Sequence, residues 1–351
     1  MRYHNVYVES FACTLPDEVV TSDEIESRLA PLYRRLRLPE GRLELMTGIR
    51  ERRFWPRGMR PSEQSVASGE RALQAAGIDR GEIGALVHAS VCRDFLEPAT
   101  ACTVHRRLGL PAECLVYDVS NACLGLLNGM LQVAGLIELG QIRAGLVVGS
   151  ECGRFLVEST IEELNARQTL TRDDIKLAVA SLTIGSGSAA VLLAHRDLAR
   201  AGHRLLGGAA GADTSASELC HGGAEAAAGL GAKLLMQTDS EAMLHAGVAL
   251  ARRVFPRFLE EVGWSGRGPD KTFCHQIGAA HRKLMFQGLE LDTAIDYSTV
   301  EWLGNTGSVA LPTAVALGIE RGHVAPGDRV ALLGIGSGIN VLMLGLEWGK
   351  P

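Results

Sequence analysis

The chain of 351 residues repeats itself in order, and this internal duplication limits its possible folds more than any other feature. In the first half a helix-like segment, 122–140, leads into the apolar run Ala144-Gly145-Leu146-Val147-Val148-Gly149. In the second half 305–322 leads into Val330-Ala331-Leu332-Leu333-Gly334. Ile137-Glu138-Leu139-Gly140 parallels Ile319-Glu320-Arg321-Gly322. Cys123 stands 17 positions before Gly140, and Asn305 stands 17 before Gly322, so each opens a helix in its own half. Upstream, amphipathic patterns at 64–76 and 241–262 each precede a short apolar strand, 85–90 and 272–275. Such alternation predicts an α/β fold with a parallel or mixed sheet covered by helices. Two units related by pseudo-symmetry bring their strand-end loops together, where ligand sites form in such sheets. The division falls into an N-terminal half, 1–200, and a C-terminal half, 201–351. One segment, about 155–180, breaks the repeat with Glu158, Glu162, Glu163, Arg167, Arg172, Asp173 and Asp174. It reads as an inserted helical cap, or equally as a solvated helical hairpin. Residues 185–193 then resume as a turn and a buried strand.

Composition narrows the class. With 46% hydrophobic and 21% charged residues the chain can bury a large core. A net charge of −5 and a pI near 6.1 leave no basic footprint for nucleic acid. No apolar run reaches the length of a membrane span, and the residues after Met1 lack a signal peptide's apolar core. The eight cysteines are scattered without a Cys-x-x-Cys pair. They read as reduced thiols of a cytoplasmic protein, not as a disulfide framework or a metal site.

Among those thiols Cys123 is singled out by its place. The β-rich stretch 115–119 ends in small and polar residues, and a helical pattern begins at about Ala122. On a first helical turn, free N–H groups and the helix dipole lower a thiol's pKa and favour the nucleophilic thiolate. A small buried cysteine is the alternative. His275 ends a strand, where a lone histidine can equally be structural. His245 and His281 have no supporting context, and no role is assigned to them.

Three stretches taken together resemble a known family. They are Cys123 at its helix start, Phe273-Cys274-His275-Gln276-Ile277-Gly278, and Leu303-Gly304-Asn305-Thr306-Gly307-Ser308-Val309-Ala310-Leu311-Pro312. With 30 residues from His275 to Asn305, and with Thr47-Gly48-Ile49-Arg50-Glu51-Arg52 near the start, they resemble the Cys-His-Asn condensing enzymes of the thiolase superfamily, above all ketoacyl-ACP synthase III. The likeness runs from about residue 5 to 349. It implies a thiolase fold, two βαβαβαββ halves in a five-layered αβαβα arrangement, in a homodimer. Within the superfamily the chain is most similar to the OleA branch, which condenses two acyl-CoAs head to head in lipid and olefin biosynthesis. The runs 121–130, 274–278, 333–340 and Phe95-Leu96-Glu97-Pro98-Ala99-Thr100-Ala101-Cys102 support that likeness. Ketoacyl-ACP synthase III has an apolar aromatic at the place of Glu97, reaching into the neighbouring subunit's acyl channel. The OleA branch has a glutamate there and uses it as a base. By itself Glu97, beside Pro98, also fits an ordinary exposed carboxylate. The synthase tryptophan and arginine that grip CoA adenine are replaced here by Arg42 and Met46, so that grip does not carry over. Arg282 and Lys283 fall where the family presents basic residues to the pantetheine carrier, though a solvated basic helix end is an equal reading.

The implied chemistry is a Claisen condensation of thioesters, with no cofactor beyond the CoA thioester substrates and no metal. Cys123 holds the first acyl group. The backbone N–H groups of Cys123 and Ser337 form the oxyanion hole. A dinucleotide-binding reading of Gly334, Gly336 and Gly338 fails, because 339–346 reads as a strand and not a helix. His275 Nε2 and the Asn305 amide hold the enolate of the second substrate. A decarboxylating enzyme needs no base; one that uses two plain acyl-CoAs must remove a Cα proton, and Glu97 is the group that separates the two. The expected product is a 2-alkyl-3-oxo acid, passed on to downstream pathway enzymes. The alternatives are a malonyl-ACP-dependent synthase III and a catalytically silent thiolase-fold scaffold.

Overall fold

The computed structural model describes residues 1–223 and 235–349. Nine strands form one sheet that runs through both halves. From one edge the order is Leu115–Val119, Ile83–Ala89, Ala144–Glu151, Gly187–His195 and Val6–Thr14. It continues with His203–Ala212, Asn340–Glu347, Arg329–Gly336 and Lys271–Cys274. The halves meet at a short antiparallel contact, Tyr7 with Arg204 and Val8 with His203. Each half then repeats the same sequence of pairings outward from that junction. An isolated parallel bridge between Thr272 and Asp296 stands where the first half has its outermost strand.

Alternation along the strands sends successive side chains into different layers. Leu86, Leu146 and Val148 face the outer helices Pro61–Ala76 and Thr100–Leu108. Val87, Ala89 and Val147 turn inward, onto Gly125–Glu138 and Ala310–Glu320. In the second half Leu332, Leu342 and Leu344 meet those same two helices from the other side. Ala331, Leu333 and Met343 face the outer helices Ser240–Glu261 and Ala279–Leu289. The result is helix, sheet, paired helices, sheet, helix: the five layers of the thiolase fold. Each fully buried Leu or Val in the central layer contributes about 1.5–3 kcal/mol. Close approach is built into the sequence at Gly129, where a Cβ would fall 2.6 Å from Val147.

The insertion forms two helices, Arg154–Ala166 and Arg172–Leu182. Val157, Ile161 and Leu164 pack on Ile25, Leu29 and Leu32 of the N-terminal helices. The segment therefore packs on the N-terminal helices through a shared apolar cluster. Arg52 pins it to the body from a fully buried position, donating to Ser22 Oγ at 3.1 Å and to the Leu182 carbonyl at 3.3 Å. Burial away from any carboxylate pushes its guanidinium down to about 10. Among the described residues no helix is long and apolar enough to cross a membrane.

Candidate active site

Within each half the parallel strands deliver their C-terminal ends to one side, and several of the expected residues follow those ends. Leu115–Val119 leads to Cys123, Ile83–Ala89 to the loop bearing Glu97, Lys271–Cys274 to His275, and Arg329–Gly336 to Ser337. The second-half loops close on the nucleophile. A Cβ on Gly336 would lie 3.0 Å from Leu124 Cγ and 3.7 Å from Leu124 N, so the Ser337 turn lies against the residue after Cys123. A Cβ on Gly125 would lie 3.5 Å from Ser308 Cβ, which places the turn after Asn305 against the same helix start.

Cys123 itself differs from the expectation in two ways. The helix begins at Gly125, so the cysteine stands in the preceding turn. Ala122 adopts φ +43°, a left-handed conformation that aims the next residue away from the strand. The thiol is also raised, not lowered, to about 12. Desolvation by burial is the main cause, the Glu151 carboxylate and the Cys220 thiol add to it, and only the cysteine's own N–H acts the other way. A dipole argument made from local sequence misses these tertiary neighbours. Burial and the neighbouring Glu151 thus favour the thiol over the thiolate at Cys123.

His275 is 3% exposed, and neither ring nitrogen has a hydrogen-bond partner among the described residues. Buried polar atoms are nearly always paired, so both ring nitrogens of His275 are left to meet a bound group; the buried His88 shares the same trait away from these loops. Its backbone N–H donates to the Leu333 carbonyl at 3.0 Å, which fixes it one strand from the Gly334–Gly336 edge. Burial, with His281 nearby, pushes its pKa down to about 3, so the imidazole is neutral and one nitrogen carries a proton to donate. Gln276 beside it is structural: its Oε1 accepts from Thr299 N at 2.9 Å and Val300 N at 3.1 Å.

The amide of Asn305 is oriented by its own turn. Its Oδ1 accepts the Gly307 N–H at 2.9 Å, which leaves the Nδ2 hydrogens as donors. Its backbone is held on both sides, by Thr183 O at 3.0 Å and by Gly185 N at 2.9 Å. Ser337 opens the turn into Asn340–Glu347, which is a strand paired antiparallel to Arg329–Gly336. A strand at that place is incompatible with the dinucleotide-binding reading.

Glu97 is exposed, on a loop with Phe95 47% and Leu96 91% exposed. The loop is well anchored at its C-terminal end. Asp118 accepts the Thr100 and Ala101 N–H groups at 2.8 and 2.9 Å, and Arg60 lies over the Phe95 ring. Arg282 is committed to Asp296, with Nε 2.6 Å from Oδ2, and to the Thr293 carbonyl at 2.7 Å, which gives it a structural role. Lys283 next to it is exposed. Arg42 and Met46 are both exposed on a short helix whose following Gly48 packs on Ala279. A cavity of about 300 Å³ opens beside the nucleophile turn, between Asn121, Asn128 and Asn340, and does not reach His275 or Asn305. Glu151, His281 and Cys220 are neighbours of the site that the sequence did not single out.

A cysteine at a strand-to-helix turn, an uncommitted histidine and an oriented asparagine, set on the loops of a duplicated five-layered fold, make this a condensing enzyme of the thiolase superfamily. Comparison with known proteins agrees. Residues 259–348 match the family described as 3-oxoacyl-[acyl-carrier-protein] synthase III, C terminal. An acyl-CoA:acyl-CoA alkyltransferase of Shewanella oneidensis is 41% identical, covering 99% of this chain and 100% of its own. The enzyme of the same name from Xanthomonas campestris is 33% identical over 99% of this chain and 100% of its own. Structures of Xanthomonas campestris OleA superimpose over 99% of this chain; one, a cysteine variant with bound lauric acid and lauroyl-CoA, has a TM-score of 0.91 at 32% identity and is covered completely. Others in that series replace a histidine or a glutamate. The chain belongs to the acyl-CoA:acyl-CoA alkyltransferase family, the OleA enzymes.

Proposed function

We propose that this enzyme condenses two fatty acyl-CoAs, without decarboxylation, to a 2-alkyl-3-oxo acid. Cys123 attacks the first thioester carbonyl, and its proton passes to the departing CoA sulfur; the N–H groups of Cys123 and Ser337 hold the oxyanion, and CoA leaves as its thiol. Glu97 then takes a Cα proton from the second acyl-CoA. The resulting enolate oxygen is held by the neutral His275 N–H and the Asn305 amide. Its carbon attacks the acyl-Cys123 carbonyl and releases the cysteine thiolate. Hydrolysis of the remaining thioester frees the oxo acid and the second CoA. No resident cofactor enters this scheme.

Glu97 is the observation that carries the reading. The glutamate replaced in the Xanthomonas campestris structures precedes the replaced cysteine by 26 positions. Glu97 precedes Cys123 by the same 26 positions. The malonyl-dependent alternative has no use for a base there, and a silent scaffold has no use for Cys123, His275 and Asn305 together.

The reading includes a homodimer. Leu115–Val119 is an edge strand with its outer side unpaired among the described residues. Leu115 is 47% and Leu139 74% exposed, and with Tyr117 and Leu136 they line an apolar cleft of about 420 Å³. Such an edge is a template for a second copy of the chain. Pairing there gives the exposed Glu97 loop a partner's site to enter. Eight free thiols suit a reducing cytoplasm. The experiment that tests the base is Cα-proton exchange in D2O with a single acyl-CoA. Wild type should exchange and Glu97→Gln should not; exchange unchanged in Glu97→Gln removes the base from the scheme.

A further inference from the structure

A buried carboxylate outside the Cys-His-Asn set joins the pieces of the site. Glu151 is the last residue of the strand Ala144–Glu151 and is 5% exposed. One oxygen, Oε1, accepts three hydrogen bonds: from Ser308 Oγ at 2.5 Å, from Val91 N at 3.2 Å and from Ser308 N at 3.3 Å. Ser308 lies three residues beyond Asn305, and Val91 opens the loop that leads to Glu97. Gly307, at φ +57°, faces the same carboxylate; a Cβ there would fall 3.2 Å from Glu151 Cδ and Cγ. Ser308 in turn touches Gly125, where the nucleophile helix begins. The Glu151 carbonyl is fixed as well, by Trp55 Nε1 at 3.2 Å. Three segments far apart in sequence therefore meet at one carboxylate.

We propose that Glu151 is a positioning residue for condensation: its carboxylate holds the Asn305 turn and the root of the Glu97 loop in register beside Cys123. This rests on the roles given above to Asn305 and Glu97. Asn305 must present Nδ2 to the enolate oxygen of the substrate that Glu97 deprotonates, and misplacement by about 1 Å costs on the order of 100-fold in rate. Oε1 supplies the common anchor, while Oε2 takes none of these bonds.

Glu151→Ala, Glu151→Gln and Ser308→Ala test this. In Glu151→Ala, kcat for condensation should fall by about tenfold or more while acylation of Cys123 stays close to wild type. Glu151→Gln keeps Oε1 as the acceptor and should restore most of the condensation rate. If Glu151→Ala does not fold, Ser308→Ala removes the shortest bond alone and should show the same selective loss. Loss of acylation and condensation in equal measure, or wild-type condensation in folded Glu151→Ala or Ser308→Ala, overturns the positioning role. Wild type is measured alongside: absence of condensation there counts against the proposed function, and a selective loss in the variants alone speaks to Glu151.

Discussion

Asn305→Asp isolates one hydrogen-bond donor with little change of shape. The Gly307 N–H bonds to Asn305 Oδ1 at 2.9 Å, and an aspartate oxygen can accept the same bond, so the turn is kept. What is lost is the Nδ2 donor aimed at the enolate. Removal of one donor from a developing oxyanion costs about 100- to 1000-fold, or roughly 2.7–4 kcal/mol. A carboxylate in its place adds repulsion toward the enolate, so the loss in condensation should lie at or beyond the upper end, about 1000-fold. Acylation of Cys123 uses the other oxyanion site and should change little. The two steps can be read separately. Intact-protein mass spectrometry follows the acyl-enzyme after one addition of acyl-CoA, and extracted product reports condensation. The reasoning fails if condensation stays within about tenfold of wild type, a loss of no more than about 1.4 kcal/mol. It fails equally if acylation falls in parallel, since Asn305 would then serve the first step.

Other outcomes follow from the same geometry. His275→Ala should likewise form acyl-enzyme and lose condensation by at least about 100-fold in the same two assays. Glu97→Gln and Cys123→Ser should each be inactive as homodimers, yet regain activity when co-expressed, because one site of the heterodimer holds both Cys123 and Glu97; no recovery in isolated heterodimer would place Glu97 in its own subunit's site. Leu115→Lys charges the exposed edge strand and should shift the protein from dimer to monomer in sedimentation, with loss of condensation. Stability should fall on acidification. Burial holds His275 at about 3 and His88, His203 and His281 at about 4. These groups are neutral in the native protein and protonated when unfolded below pH about 6.5. The unfolded state thus binds more protons, and stability is lost as pH drops from about 6.5 toward 4. Thermal melts across that window should show a steady decline, and a flat Tm would contradict the burial of these side chains.

Much of the architecture is readable from the sequence because it is periodic. The strand at 115–119 has the bounds its composition suggests, and the match around Cys123 and Asn305 holds at the helix ends, Glu138 and Glu320, although the α-helix after Asn305 begins only at Ala310. Helix starts are less legible. Pro61, not Gln64, opens the first outer helix, because proline fits the first turn and polar residues there carry no periodic signal. Ala122-Cys123-Leu124 continues the helical pattern in composition, but Ala122 is left-handed and the helix waits until Gly125. The ionisation of Cys123 was not legible at all. It depends on burial and on Glu151, and the bonds that place Glu151 come from Val91 and Ser308, 60 and 157 positions away. Arg282 is a similar case: as a basic residue after the histidine motif it suggests a carrier contact, and only the fold reveals its ion pair with Asp296.

The central claim is that two acyl-CoAs suffice. The most direct measurement is incubation of purified enzyme with a single long-chain acyl-CoA and nothing else, with products identified by mass spectrometry and free CoA titrated. The account predicts a 2-alkyl-3-oxo acid, or the ketone formed from it by loss of CO2, with two CoA released per product. No product until a malonyl thioester is supplied, and then a 3-oxoacyl chain two carbons longer with one CO2 released per condensation, would contradict it.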